Sequence, residues 1–168
     1  MIRAQTTKCY NVSMKSLIIK TQDQVAELWD NSHLIKSFKI STASNGLSCV
    51  NDSFCTPDGK LRVAEKIGEG YPIGAVFKSR VFTGEVWPQA INDLTYNSDD
   101  DLVLTRILWL EGAEEKNLNT LHRHIYLHGT NHENKLGHPV SHGCIRFSNS
   151  DIIEIFDQLE VGSEVFVS

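Results

Sequence analysis

The segment HPVSHGCIRF, residues 138–147, sets a histidine, a glycine and a cysteine in a row. It lies in a region holding six of the chain's seven histidines: His122, His124, His128, His132, His138 and His142. A thiol among imidazoles permits three readings, in which Cys144 is a nucleophile, a metal ligand or an inert buried thiol. As a nucleophile it needs help, because an ordinary thiol, with a pKa of about 8.5, is only slightly ionised at neutral pH. His128 can meet it across a returning loop and take its proton. Gly143 lets the backbone turn tightly ahead of the nucleophile and leaves amide groups to face a developing oxyanion. His142, next to that glycine, can orient the loop or the substrate.

Zinc sites use the same residue types, but the spacing here reproduces no finger, knuckle or H-E-x-x-H helix. His122, His124 and Cys144 remain a conceivable ligand set if strands bring them together. The inert reading requires burial in apolar surroundings. The polar flanks Ser141, His142 and Arg146 make that environment harder to build, which puts the nucleophile slightly ahead on residue types alone.

Strands and one helix must position these groups. In HRHIYLH, residues 122–128, a period of two turns Ile125 and Leu127 toward a core and sets His122, His124, Tyr126 and His128 on the opposite, polar face. LVLTRILWL, residues 102–110, is apolar on both faces and reads as a central strand interrupted at Arg106. Residues 73–87 read as one or two strands broken by Gly84, and in 34–41 Leu34, Phe38 and Ile40 share a face, with Lys36 the exception. The turn signals SNG and TPDG make 41–60 a long exposed hairpin or loop. The acidic stretch 92–101 reads as a solvated loop, since it lacks the glycine and distal glutamate of a calcium loop, and residues 88–101 are the candidate lid. After Cys144, Ser148 and Asp151 form a capping-box pattern, and Ile152, Ile155, Phe156 and Leu159 repeat at helical spacing until Gly162.

The chain of 168 residues has a formal charge of −5, which leaves no basic surface for nucleic acid. No apolar run is long enough to span a membrane. The first residues carry Arg3 and Lys8 without a signal-length apolar run, which predicts a cytoplasmic protein, or a periplasmic one if the N-terminus is truncated. A reducing compartment keeps Cys9, Cys49, Cys55 and Cys144 as free thiols, although a bridge between Cys49 and Cys55 is conceivable. No repeat or linker divides the chain.

The segment IYLHGTNHENKLGHPVSHGCIRFSNSDI closely resembles the active-site region of the L,D-transpeptidase (YkuD-type) family. The matching positions are His128, Gly137, Ser141, His142, Gly143, Cys144, Ile145 and Arg146. Upstream, ISTASNG, TPDGKLRVAEKIGEG and TRILWLEG are similar to further family segments, so the resemblance covers residues 15–168 and leaves 1–14 as an extension. His124 departs from the tyrosine expected there, and Cys49 with Cys55 belongs to no recognised pattern. The resemblance implies a mainly β domain, a sandwich or barrel with one short helix after the catalytic cysteine.

It further implies Cys144 as nucleophile, His128 as base and the Gly129 carbonyl as orienter of the imidazole. Amides near Gly143 and Cys144 would hold the oxyanion. Ser141, His142, Arg146 and Tyr126 would line the substrate site, with Arg146 toward a substrate carboxylate. The implied reaction cleaves the bond between the L-centre of diaminopimelate and the terminal D-alanine of peptidoglycan tetrapeptides or muropeptides, without metal or other cofactor. Carbapenem-type β-lactams are the implied covalent inhibitors. A cytoplasmic location favours hydrolysis, as an L,D-carboxypeptidase of muropeptide recycling, over cross-linking or D-amino-acid exchange. The readings from other classes are a zinc-dependent hydrolase and an inactive peptidoglycan-binding module.

Overall fold

The computed structural model describes residues 15–88, 96–97 and 99–168. Ten strands form one mixed sheet. They are β1 (Lys15–Lys20), β2 (Val25–Asp30), β3 (His33–Lys39), β4 (Gly59–Ile67), β5 (Ala75–Lys78), β6 (Val81–Val86), β7 (Val103–Gly112), β8 (Tyr126–Gly129), β9 (Ile145–Phe147) and β10 (Glu164–Val167). The single α-helix among the described residues, α1 (Asn149–Gln158), follows β9 directly. The fold is thus mainly β with one short helix after Cys144, and its sheet is open, running β3-β2-β1-β10-β4-β7-β5-β6 with β8 and β9 branching from β7. No helix among the described residues is long and apolar enough to cross a membrane.

Each element follows from its local pattern. The Ser148 side chain accepts a hydrogen bond from the Asp151 amide at 3.1 Å, which satisfies one of the free N–H groups that open a helix. Ile152, Ile155 and Phe156 then fall on the buried side of α1, and Leu159 closes it. In β1, β2 and β10 alternation buries Leu17 and Ile19, Ala26 and Leu28, and Val165 and Val167. These side chains join Leu61, Val63, Leu108, Leu110, Leu127, Ile145 and Phe147 around α1 in the main core. Each large side chain so buried contributes roughly 1.5–3 kcal/mol.

Several expectations change in detail. A bulge between β2 and β3 pairs Trp29 with Leu34 but Leu28 with Lys36. Leu34 is therefore exposed while Phe38 and Ile40 are buried, and Lys36 shares the face of Phe38 by reaching out to Glu154 at the helix rim. Residues 73–87 form two strands, and Ser79 and Arg80 make the turn between them at φ 48° and 67°. The interruption in β7 is centred on Thr105, at φ 72°, where pairing with β8 skips from Leu104 to Ile107. The expected polar strand face of 122–128 begins only at Tyr126, because His124 lies in a turn at φ 55°. His122 and His124 are exposed, and Tyr126 and His128 are buried.

The 41–60 segment is exposed only in its middle. Its ends are buried: Ser41, Thr42 and Ala43 on one side, Cys55, Thr56 and Pro57 on the other. The Ser41 amide donates to the Arg146 carbonyl at 3.0 Å, and the Ser141 amide donates to the Thr42 carbonyl at 2.9 Å. These residues thus cover the outer edge of β9. Of the candidate lid, residues 89–95 and 98 lie outside the described residues.

Candidate active site

Strand register sorts the centre of the sheet into two faces. Leu108 pairs with Leu127 and Leu127 with Ile145, and all three face α1 and the core. The alternate residues face the other way: Ile107 pairs with His128, Trp109 with Tyr126, and His128 with Arg146. Cys144, two positions before Arg146, falls on this second face and packs with Ile107, Trp109 and Tyr126. The period of two therefore brings Cys144 and His128 to one side on adjacent parallel strands.

The segment around Cys144 is held from behind. Gly143 has φ 135°, and a Cβ there would stand 3.1 Å from Ile125 Cδ1 and 3.4 Å from the Cys55 carbonyl. Its carbonyl accepts from the buried Thr56 hydroxyl at 3.0 Å, and that hydroxyl also accepts from the Ala43 amide. Ser141 Oγ donates to the Cys144 carbonyl at 2.6 Å and accepts from the Gly143 amide at 3.3 Å. Ser141 thus braces the loop with its own side chain, while His142 is exposed.

Cys144 Sγ accepts from the Tyr126 amide and donates to the His124 carbonyl, both at 3.4 Å. Burial pushes its pKa up to about 11. The Tyr126 amide acts in the opposite direction, because it favours the thiolate. His128 is 2% exposed, and its Nδ1 lies 2.7 Å from the Gly129 carbonyl. A carbonyl only accepts, so Nδ1 carries the hydrogen and Nε2 is left as the basic nitrogen. Burial holds the imidazole below its ordinary pKa against the opposing pull of that carbonyl. At neutral pH the resting site is a neutral thiol beside a neutral imidazole.

Gly129 is a glycine for want of space: a Cβ would meet Asn149 Oδ1 at 2.5 Å and the Leu104 carbonyl at 2.8 Å. Arg146 does not face solvent from its position on β9. Its side chain is 3% exposed, its Nη2 donates to Asp101, and its Nε has no hydrogen-bond partner. Asp101 also stands 3.9 Å from His142 Nδ1. The acidic stretch read as solvated thus sends one carboxylate to a buried guanidinium. The signal available in the sequence was Arg146 itself, since a charge between the apolar residues Ile145 and Phe147 of a short strand needs a partner once buried. Tyr126 Oη accepts from Arg80 at 2.9 Å, and the Arg80 guanidinium lies 4.2 Å over the Trp109 ring, so these two residues also join the site wall.

Among the described residues no three metal-binding side chains converge, so His122, His124 and Cys144 do not form the ligand set considered above. Cys49, Cys55 and Cys144 are free thiols. Cys49 Sγ lies 3.3 Å from Asp58 Oδ1, and Cys55 Sγ donates to the Asn45 carbonyl at 3.3 Å.

Comparison with known proteins bears on the fold and the family. The chain is 40% identical over 42 residues to YqjB of Bacillus subtilis (strain 168), which carries an L,D-transpeptidase name, across 25% of this chain and 24% of that protein. Its fold is similar to those of several L,D-transpeptidases of solved structure. One from Xylanimonas cellulosilytica superposes with a TM-score of 0.59 at 16% identity, over 93% of this chain and 61% of that one. One from Mycobacterium smegmatis gives 0.56 at 15% identity, over 92% and 58%. L,D-transpeptidase 3 of Mycobacterium tuberculosis, solved with a faropenem-derived adduct, gives 0.56 at 15% identity, over 92% and 60%. The chain spans about three fifths of the length of these solved structures. The sequence profile of the YkuD family, the L,D-transpeptidase catalytic domain, matches residues 14–167, and this chain belongs to that family.

Proposed function

We propose that this protein is a cysteine acyl-enzyme that releases the terminal D-alanine from peptidoglycan tetrapeptides by hydrolysis, as an L,D-carboxypeptidase. The observation that carries the reading is the placement of Cys144 and His128 on one sheet face, with His128 Nδ1 bonded to the Gly129 carbonyl so that Nε2 is basic. In the reaction Cys144 Sγ–H gives its proton to Nε2, and the sulfur adds to the carbonyl at the L-centre of diaminopimelate. The Cys144 amide receives the oxyanion, the Gly143 amide being held by Ser141 Oγ. The C–N bond then breaks, and His128 passes the proton to the departing D-alanine amine. Water, deprotonated by Nε2, cleaves the thioester, releases tripeptide and returns the proton to sulfur. Hydrolysis of this kind suits soluble muropeptides recycled in the cytoplasm.

Passage of the same thioester to an amine is the second reading, and the family match favours it. Purified protein incubated with tetrapeptide and weighed by mass spectrometry separates the two. Tripeptide with free D-alanine supports hydrolysis, and cross-linked dimers or D-amino-acid-exchanged tetrapeptides show transfer. Cys144→Ala is expected to abolish either outcome with the fold intact, and His128→Ala nearly so. A carbapenem is expected to add its mass at Cys144, and labelling of Cys49 or Cys55 instead overturns the assignment.

A further inference from the structure

Among the described residues, Arg80 is a cation on the Cys144 side of the sheet that no acid neutralises. Both residues of the β5–β6 turn, Ser79 and Arg80, hold positive φ without being glycine, a backbone state that L-residues adopt rarely and that here aims the Arg80 side chain across β7. Its guanidinium carbon lies over the Trp109 ring, 4.2 Å from the ring centre, and Nη1 donates to Tyr126 Oη at 2.9 Å. The amide of that same Tyr126 touches Cys144 Sγ. One residue therefore separates the guanidinium from the reacting sulfur. Arg146, the other arginine beside the dyad, is buried and paired with Asp101. Among the described residues no carboxylate pairs with Arg80.

Contact with an indole face and one hydrogen bond to a phenol hold a guanidinium rigidly, yet leave most of its five N–H donors unused. A planar donor fork fixed in this way matches a carboxylate in two-point geometry. We infer that Arg80 is a specificity-determining residue that binds a carboxylate of the peptide substrate beside the scissile carbonyl. The inference rests on the proposed tetrapeptide substrate, which offers that chemistry from two sources: the C-terminal D-alanine and the free side-chain carboxylate of diaminopimelate.

The full chain carrying Cys144→Ala, which binds peptide without consuming it, is titrated calorimetrically with three probes. These are the tetrapeptide, its C-terminal amide and its diaminopimelate side-chain amide. The acid is expected to bind roughly ten- to a hundredfold more tightly than one of the amides, and the weaker amide identifies the source. Adding Arg80→Gln is expected to erase that ratio, and Arg80→Lys to keep only part of it, with melting temperature recording that both variants fold. An acid-to-amide ratio near one with Arg80 present, an unchanged ratio in Arg80→Gln, or no binding of any probe overturns the inference. Turnover by the unmodified protein is scored separately. Charge-selective binding without product sinks the proposed activity alone, and product formation with an unchanged ratio in Arg80→Gln sinks the role of Arg80 alone.

Discussion

The Cys144 thiol and the His128 imidazole are both neutral at rest, because burial disfavours the charged form of each. A preformed thiolate would react at a rate independent of pH across the neutral range. Cys144 is instead expected to be alkylated by iodoacetamide at a rate that climbs continuously from pH 6 to pH 10, measured by intact mass, and a plateau below pH 8 contradicts the neutral resting pair. Arg146 and Asp101 form the second residue-scale unit. Asp101→Asn leaves a guanidinium, 3% exposed, without its counter-charge and is expected to cost about 2–4 kcal/mol in urea unfolding, discounted for the solvent that reaches Asp101. Arg146→Met in addition should recover part of that loss, so that the double variant loses less than the sum of the single ones. Additive losses would show that the pair is not coupled. Cys144, His128 and the loop around them form one short stretch, so the proposed dyad was legible through residue type and the family resemblance, whereas the link of Asp101 to Arg146 spans 45 positions.

At the scale of elements, the parallel pairing of β8 with β9 decides whether Cys144 and His128 share a face. A one-residue slip would turn either His128 or Cys144 into the core. The position of β8 against β7 is marked by the bulge at Thr105, whose hydroxyl accepts from the Gly74 amide and donates to Asn149, and Gly129 packs against that same Asn149. Gly129→Ala drives a methyl group into Asn149 and the Leu104 carbonyl. It is expected to cost about 1–3 kcal/mol of stability and to lower kcat by more than the stability loss explains, checked by urea unfolding alongside turnover. Wild-type turnover in that variant would show that the register tolerates the intrusion. Alternation in the sequence revealed β3 and β8, the run 102–110, apolar on both faces, revealed β7, and the Ser148 cap with its apolar repeat revealed α1. The bulges were not legible, because nothing in Leu34 or Thr105 as residues marks where a partner strand will skip.

For the whole molecule, the last strand is structurally internal: β10 lies between β1, in parallel, and β4, antiparallel. Removing residues 163–168 exposes the inner edges of both neighbours and takes Val165 and Val167 from the main core. The truncated chain is expected to lose cooperative urea unfolding and its near-ultraviolet dichroism, and a cooperative transition within 1 kcal/mol of the full chain would refute this account. Stability also depends on pH through the dyad. His128 titrates below its ordinary value when folded, so the unfolded chain binds the extra proton, and stability falls as pH drops below about 6.5. Cys144 titrates above its ordinary value, so its contribution is lost as pH rises from about 8.5 toward 11. The melting temperature is expected to be highest between those limits, and Cys144→Ala is expected to flatten the alkaline decline alone.

Residues 126–159 were the most legible part of the chain. The nucleophile segment, the alternation of Ile125, Leu127 and His128, and the capped helix are set by interactions within a few positions, and such short-range preferences are written in local order. The sequence also pointed to a mainly β chain through its repeated two-residue periodicity. Only the tertiary structure placed β10 at the centre, carried Asp101 to Arg146 and laid Arg80 over Trp109 against Tyr126, 46 positions away. Those contacts depend on which strands pair and where bulges shift their register. That choice is made by the combined burial of many side chains, so no single segment carries it.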